Sequence, residues 1–396
     1  MVTRPPVTDW TSDWDYLDPS WINNPYPIWQ DLREHCPVAH TDRYGGVYLV
    51  TRYNDIRDVA YDPARFSSRR VVPREGGAQV DTPPLTYDPP EHRPMRMILV
   101  PPFTPQAVAK FEPQTRVLCN ELIDRFIAQG RCDGVIDYAQ NIPVGVITRM
   151  LGIPAEDGDQ FRAWIDKTME GGEDPEGMKR AAEEMFVYFA KEISKRREQA
   201  TDDLISFLIQ ARLPNGELLS DREIVSTLRL LLVAGIDTTG SSISASILHL
   251  ASHPADRERL VREPELIPTA IEEFLRAYAP VTVAREITKD TEIHGCPMRK
   301  GEMVLLPLPS ANRDPEKFPD ADRVLIDRKE NPHVAFGLGI HRCLGSNLAR
   351  MEMRIAIDEL LKRIPNFRLD PARPVLWSNG TVPVRAPRLL PLVFDR

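Results

Sequence analysis

The turn Phe336-Gly337-Leu338-Gly339-Ile340-His341-Arg342-Cys343-Leu344-Gly345 sets one cysteine among glycines, just ahead of a strongly helical run. That placement suits a thiolate. Backbone N–H groups at a helix N-terminus point toward it, the helix dipole favours its charge, and both lower a thiol pKa. The glycines permit positive φ and let the backbone lie close to a flat ligand. A thiolate so held is one way of anchoring haem iron, where it pushes electron density toward O–O cleavage. The plain alternative is a free cysteine packed as a small apolar side chain.

Three further groups carry chemistry. Ala234-Gly235-Ile236-Asp237-Thr238-Thr239 lies in an otherwise apolar stretch, where an acid beside an alcohol is costly unless used. Gly235 weakens the helix there. A threonine hydroxyl can bond the carbonyl four residues back and bend the helix, opening a groove. Asp237 and Thr238 in such a groove could hold a water chain and deliver protons; a kinked helix with satisfied polar groups is the other reading. Glu273 and Arg276 share a helical face, where the ordinary outcome is an exposed ion pair worth well under about 1 kcal/mol. His92 and Arg96 are four apart, Arg285 falls in a strand-like run, and His341 stands two residues before Cys343. Haem carries two propionates, and burying them requires cations with good hydrogen-bond geometry. Taken singly, each of the four is a solvated charge.

The elements that must position these groups are mostly helices. Helical runs are expected at 91–100, 105–129, 139–151, 156–168, 175–198, 202–211 and 345–363, and from Pro27 to His35 and Pro268 to Ala277. The clearest runs from Asp221 to Ser252. Ser220 and Glu223 make a capping box at its start, and His253-Pro254 ends it. About thirty residues at ~1.5 Å each span roughly 45 Å, so this helix must cross the core. Short strands are expected after His35 through residue 60, including 47–51, then at 281–287, 291–294 and 303–307, with a small β element in 366–394. The 37 prolines crowd 1–27, 73–113 and 364–391, which read as extended or irregular. Gly171-Gly172 could be a hinge. Mostly α with a smaller β portion is the expected class, in one unit spanning 1–396.

A net charge of −8 and a pI near 5.6 argue against general nucleic-acid binding. Cys36, Cys119, Cys132, Cys296 and Cys343 form no CxxC pair, so zinc and iron–sulfur frameworks are unsupported, and reduced thiols in the cytoplasm are expected. Acidic residues and Arg4 in the first twenty positions oppose a targeting segment. The apolar stretch Leu230–Ile236 is too short to cross a membrane.

These motifs together resemble the bacterial cytochromes P450, haem-thiolate monooxygenases, in the camphor-hydroxylase-like class I branch. The cysteine loop 336–345, the Glu273/Arg276 pair, the acid–alcohol segment 234–239 and their spacing carry the likeness. So do Ala311-Asn312-Arg313-Asp314-Pro315 with Phe318, similar to the meander before the haem loop, and Asp88-Pro89-Pro90-Glu91-His92 with Arg96. The resemblance runs from about residue 24 onward. It implies a triangular prism with a long central helix over haem b. It makes Cys343 the iron ligand, and sets Phe336, Gly337, Gly345 and Ala234 against the cofactor. By the same likeness His92, Arg96, Arg285 and His341 bind propionates, Asp237 and Thr238 assist dioxygen protonation, and Glu273 and Arg276 tie their helix to the meander.

The resemblance also implies O2 as co-substrate and a separate ferredoxin and ferredoxin reductase as electron donors, with no fused reductase. The donor would dock near Cys343, where Arg342, Arg350 and Arg354 could attract an acidic partner. A monomer without membrane association is expected. The implied substrate pocket is lined by Val80, Thr82, Leu230, Val233, Ala234, Val281, Val283, Thr381 and Val382, so a compact apolar molecule fits, terpenoid-like first, aromatic acid or steroid next. Thr82, Thr86 or Tyr87 would orient it; an inward Arg69, Arg70 or Arg74 would favour a carboxylate. A peroxide-driven haem enzyme and a non-catalytic haem sensor are the alternative classes.

Overall fold

In the computed structural model, residues 5–73, 82–170, 174–378 and 384–395 are described. Helix dominates. Five short strands form the largest sheet: β1 (Val38–Thr41), β2 (Val47–Val50) and β3 (Phe66–Ser67) from the N-terminal part, β4 (Thr282–Ile287) and β5 (Met303–Pro307) from much later. Their order is β1-β2-β5-β4-β3, with β2 and β5 parallel and the other pairs antiparallel. Leu49 sits opposite Leu305, and Ala284 opposite the same leucine from the other side. One face of this sheet packs on Trp14, Trp21 and Trp29; the other meets Phe66, Phe318 and Val334.

Four helices position the site: α1 (His92–Leu99), α2 (Asp221–Ser252), α3 (Ile267–Ala277) and α4 (Ser346–Arg363). The expected capping box opens α2: the Ser220 hydroxyl accepts from the Glu223 N–H, and the Glu223 carboxylate accepts from the Ser220 N–H. By length and composition α2 is apolar enough to cross a membrane, yet it packs inside the protein against α3, α4 and helices 141–150, 158–170 and 175–198.

Several expected boundaries shift. The single helix expected over 105–129 is broken into Pro105–Ala109 and Glu112–Asp124, because Pro113 has no N–H to continue a preceding turn and instead starts a new one. Residues Tyr53–Tyr61 form a helix where strands were expected; Tyr53, Ile56 and Val59 bury a three-residue spacing that β-branched side chains disguise. Pro254–Arg262 is a further helix beyond those expected. The Gly171-Gly172 pair falls outside the described residues.

Candidate active site

Midway along α2 the burial pattern changes. Residues before Arg229 and after Gly235 are largely buried, whereas Leu230, Val233 and Gly235 are half-exposed and Ala234 is exposed. A helix that crosses the core and yet shows surface in its middle borders an internal cleft. The Thr238 hydroxyl donates to the Ala234 carbonyl at 2.6 Å, the four-back bond that loosens a helix. Asp237, only 7% exposed, accepts from Arg388 of β6 (Pro387–Leu389), at 2.5 Å to Oδ1 and 3.3 Å to Oδ2.

Cys343 lies two residues before Gly345, the N-cap of α4. Its N–H donates to the Phe336 carbonyl at 2.7 Å, closing the loop. Gly337 and Gly339 adopt φ of +70° and +67°. At Gly339 the need is double: a Cβ would come within 2.3 Å of the Ala60 carbonyl oxygen. Cys343 keeps accessible surface. Its surroundings still raise its thiol pKa by desolvation; the Gly345 N–H and the charges of Arg96, Arg342 and Arg350 pull the other way without prevailing. This corrects the expected lowering. In a dry setting desolvation of the anion outweighs the helix terminus. Among the described residues no three His, Cys, Asp or Glu side chains converge on a metal site. A metal held by Cys343 must therefore bring its remaining ligands with it, as a porphyrin does.

Two arginines and two histidines gather beside this loop. The His92 and His341 rings stand 4.4 Å apart, and each leaves Nε2 buried without a partner. Among the described residues the Arg285 guanidinium bonds only the Ala284 carbonyl, and Arg96 only the Arg342 carbonyl. Burial, then the charges of Arg285, His92 and Arg96, push His341 down to about 3; burial brings Arg285 down to about 10. Among the described residues Asp88 is the one acid whose charge reaches Arg285 and His92, and its carboxylate already accepts from Ser67 and Ser68. Two guanidiniums with so little negative charge, beside two imidazoles whose Nε2 atoms have no partner, fit a dianionic ligand such as the two haem propionates.

Glu273 and Arg276 are both 0% exposed, not the surface pair their spacing alone would give. Arg276 makes two 2.8 Å bonds to Glu273 and donates to the carbonyls of Asn312, Ala321 and Arg323. Glu273 also accepts from Leu325, Arg328 and Asn331. The pair thus joins α3 to the segment 312–331.

Around the cleft, Leu230, Val233 and Ala234 lie on α2, Val283 on β4, and Val281 bridges to Val384. The Thr82 N–H donates to Thr86 Oγ1 at 2.9 Å, and Tyr87 packs against the main core. Val80, Thr381, Val382 and Arg74 fall outside the described residues. Arg69 and Arg70 do not supply an inward charge: Arg69 lies exposed near Asp88, and Arg70 donates to the Gly301 carbonyl. A separate cavity between Trp21, Tyr26, Trp29 and Tyr278 reaches Thr282 and Leu305; of the expected pocket, only Val72 and Pro73 of the 70–87 loop line it among the described residues.

Near Cys343 the basic face is less free than its sequence suggests. Arg350 forms two 2.7 Å bonds to Glu272 and lies over the Phe336 ring; Arg354 pairs with Glu112 at 2.6 Å. Both arginines are thus neutralised within the fold, and Arg342 remains exposed. Sequence reasoning missed Glu272, which also receives His333 at 3.0 Å, and it missed Arg388. Glu272 stands beside Glu273, but nothing local marks Arg388, 151 residues from its partner.

Comparison with known proteins bears on this arrangement. The family model for cytochrome P450 matches residues 161–375. The mycinamicin IV hydroxylase/epoxidase of Micromonospora griseorubida is 39% identical over 92% of this chain and 94% of its own. The vitamin D(3) 25-hydroxylase of Pseudonocardia autotrophica is 36% identical over 92% of each. The solved structure of the polyketide synthase cytochrome P450 PksS of Bacillus subtilis 168 superposes with a TM-score of 0.90 at 32% identity, covering 97% of this chain and 100% of that one.

Proposed function

We propose, since the chain belongs to the cytochrome P450 family and is a haem b monooxygenase, that Cys343 is its iron ligand and that its substrate is an apolar small molecule. The lone thiolate site beside an unneutralised cationic cradle carries this reading. Haem, when bound, supplies the activation of O2 by which one oxygen atom enters a C–H bond and the other leaves as water, at the expense of two electrons and two protons.

The protein's own groups do the rest. His92, Arg96, Arg285 and His341 hold the propionates and offset their burial. Glu273 and Arg276 fix the meander against α3. Leu230, Val233, Ala234, Val281 and Val283 exclude water and seat the apolar body. Thr238 Oγ1 donates its proton to the Ala234 carbonyl and would have to rotate away from it to offer that proton to the cleft. Asp237, whose carboxylate Arg388 fixes in place, would take a proton from solvent and hand it on to reload the hydroxyl.

A terpenoid-like compound remains the first reading of the substrate. A steroid-like one is the second, and the vitamin D(3) hydroxylase relative favours it. Electrons are assigned to a separate ferredoxin and its reductase in the cytoplasm, docking on the face around Arg342, to a single haem domain that acts as a monomer.

The test is the reduced carbonyl spectrum of the haem-loaded protein. The thiolate signature is expected in the parent and absent in Cys343→Ala. A signature that survives the substitution refutes the assignment of the ligand.

A further inference from the structure

The arginines of this chain sort by what holds them. Those that are not exposed donate to acids or carbonyls: Arg33 to Ser310, Arg257 to Pro365 and Leu250, Arg328 to Glu273, Arg388 to Asp237. Arg285 and Arg96 meet carbonyls alone, and both face the cradle that an anionic cofactor completes. Arg229 has less still. Its Nε is buried without a partner, and no described residue accepts from the rest of its guanidinium. Burial depresses its pKa, and no described acid opposes that effect.

Its position gives this a direction. Arg229 begins the stretch of α2 that keeps accessible surface. Arg229 and Val233 are four apart and share a stripe of the helix; Leu230, Ala234 and Thr238 form the adjoining stripe. The guanidinium therefore borders the cleft seen by the substrate-facing residues. It stands nine residues before Thr238, or ~13 Å along the helix axis. The nearest acids on its own stripe, Asp221 and Asp237, are each two turns away and engaged by Arg197 and Arg388.

We infer that Arg229 is a specificity-determining residue that receives a carboxylate of the substrate at the end of the cleft remote from Thr238. The inference deepens the monooxygenase reading and rests on it. A guanidinium grips a carboxylate through two parallel N–H bonds, and partial burial strengthens both. An uncharged analogue would leave the arginine desolvated and unpaired, which is how a polar site rejects a substrate lacking the matching group. The substrate is then an apolar acid, oxidised on carbon well away from its carboxylate.

The experiment titrates the haem-loaded full chain with n-alkanoic acids of graded length and with their methyl esters. It reads the haem spin-state shift, and calorimetry supplies a second readout that does not depend on haem absorption. At least one acid should bind about tenfold or more tightly than its ester, a difference of ~1.4 kcal/mol. Arg229→Gln should weaken the acid and leave the ester unchanged, while Arg229→Lys keeps most of the preference. Arg229→Met, which retains the packing of the stem, substitutes if the glutamine variant does not fold. Equal binding of acid and ester, no binding of any acid, or a preference that survives loss of the guanidinium overturns the inference. The reduced carbonyl spectrum of each sample separates the two readings: it depends on Cys343 and not on Arg229. A missing thiolate signature defeats the monooxygenase assignment; an intact signature with no preference for the acid defeats the carboxylate site alone.

Discussion

Arg388 and Asp237, 151 residues apart in the chain, meet in a two-bond ion pair that fastens the C-terminal strand β6 to the middle of the core helix α2. The acid is 7% and the arginine 16% exposed. Removing one partner of a pair this buried strands the other, at roughly 2–4 kcal/mol. Arg388→Ala should therefore lower stability by about that much, and it should reduce product formed per electron consumed. Denaturant unfolding and reducing-equivalent balance check both. A double-mutant cycle with Asp237→Asn should be non-additive; additivity within about 0.5 kcal/mol would show that the two groups do not act together.

Thr238→Ala removes the hydroxyl without disturbing the backbone of α2. Substrate binding should persist while oxygen is diverted to hydrogen peroxide. Simultaneous assay of peroxide and product decides this, and unchanged coupling takes Thr238 out of proton delivery.

Glu272 gives a pH signature. Burial by itself would raise its carboxyl, but the hydrogen bonds from Arg350 and His333 prevail and bring it to about 2, from an ordinary 4.5. A group depressed by folding stabilises above its unfolded pKa and loses that contribution as the pH falls through the folded value. Glu272→Gln should thus cost about 2 kcal/mol near pH 6, after allowance for partial exposure, and progressively less between pH 4.5 and 2. Urea midpoints of parent and variant across that range are the measurement; a constant gap would refute the linkage.

Arg276→Ala leaves Glu273 buried with a network built to share its charge, and exposes three carbonyls to no donor. A loss of about 3–5 kcal/mol is expected, enough to leave much of the protein without haem. Haem content per chain and near-ultraviolet circular dichroism report it, and normal haem loading would contradict the structural role.

For the redox partner, charge reversal at exposed Arg342 should weaken ferredoxin binding and flatten its salt dependence. Arg350→Glu should instead act mainly through stability, because it sets two acids against each other at Glu272. Affinity measured over a salt series, alongside unfolding, separates the two cases.

What the sequence displayed and what it hid follow from range. The capping residues Ser220 and Glu223 lie within four positions of each other, so α2 was readable to its ends. The cysteine loop was equally local. The break at Pro113 was visible but outweighed by the helical residues on both sides. Tyr53–Tyr61 was hidden because Ile56 and Val59 favour strands in isolation and became helical only through packing. Arg388 and Gly339 could not be read at all, since their partners, Asp237 and Ala60, are brought to them by the tertiary fold. The same holds for Arg350, whose charge looked available until α3 delivered Glu272.

The contact between Gly339 and the Ala60 carbonyl has a wider bearing. It lets the loop that presents the sulfur rest directly on backbone from the first sixth of the chain, with no side chain to cushion the join. Those two segments are therefore obliged to vary in concert: an insertion or a shift of the early helix transmits straight to the Cys343 loop, and the sulfur's position becomes sensitive to changes made far from it in sequence.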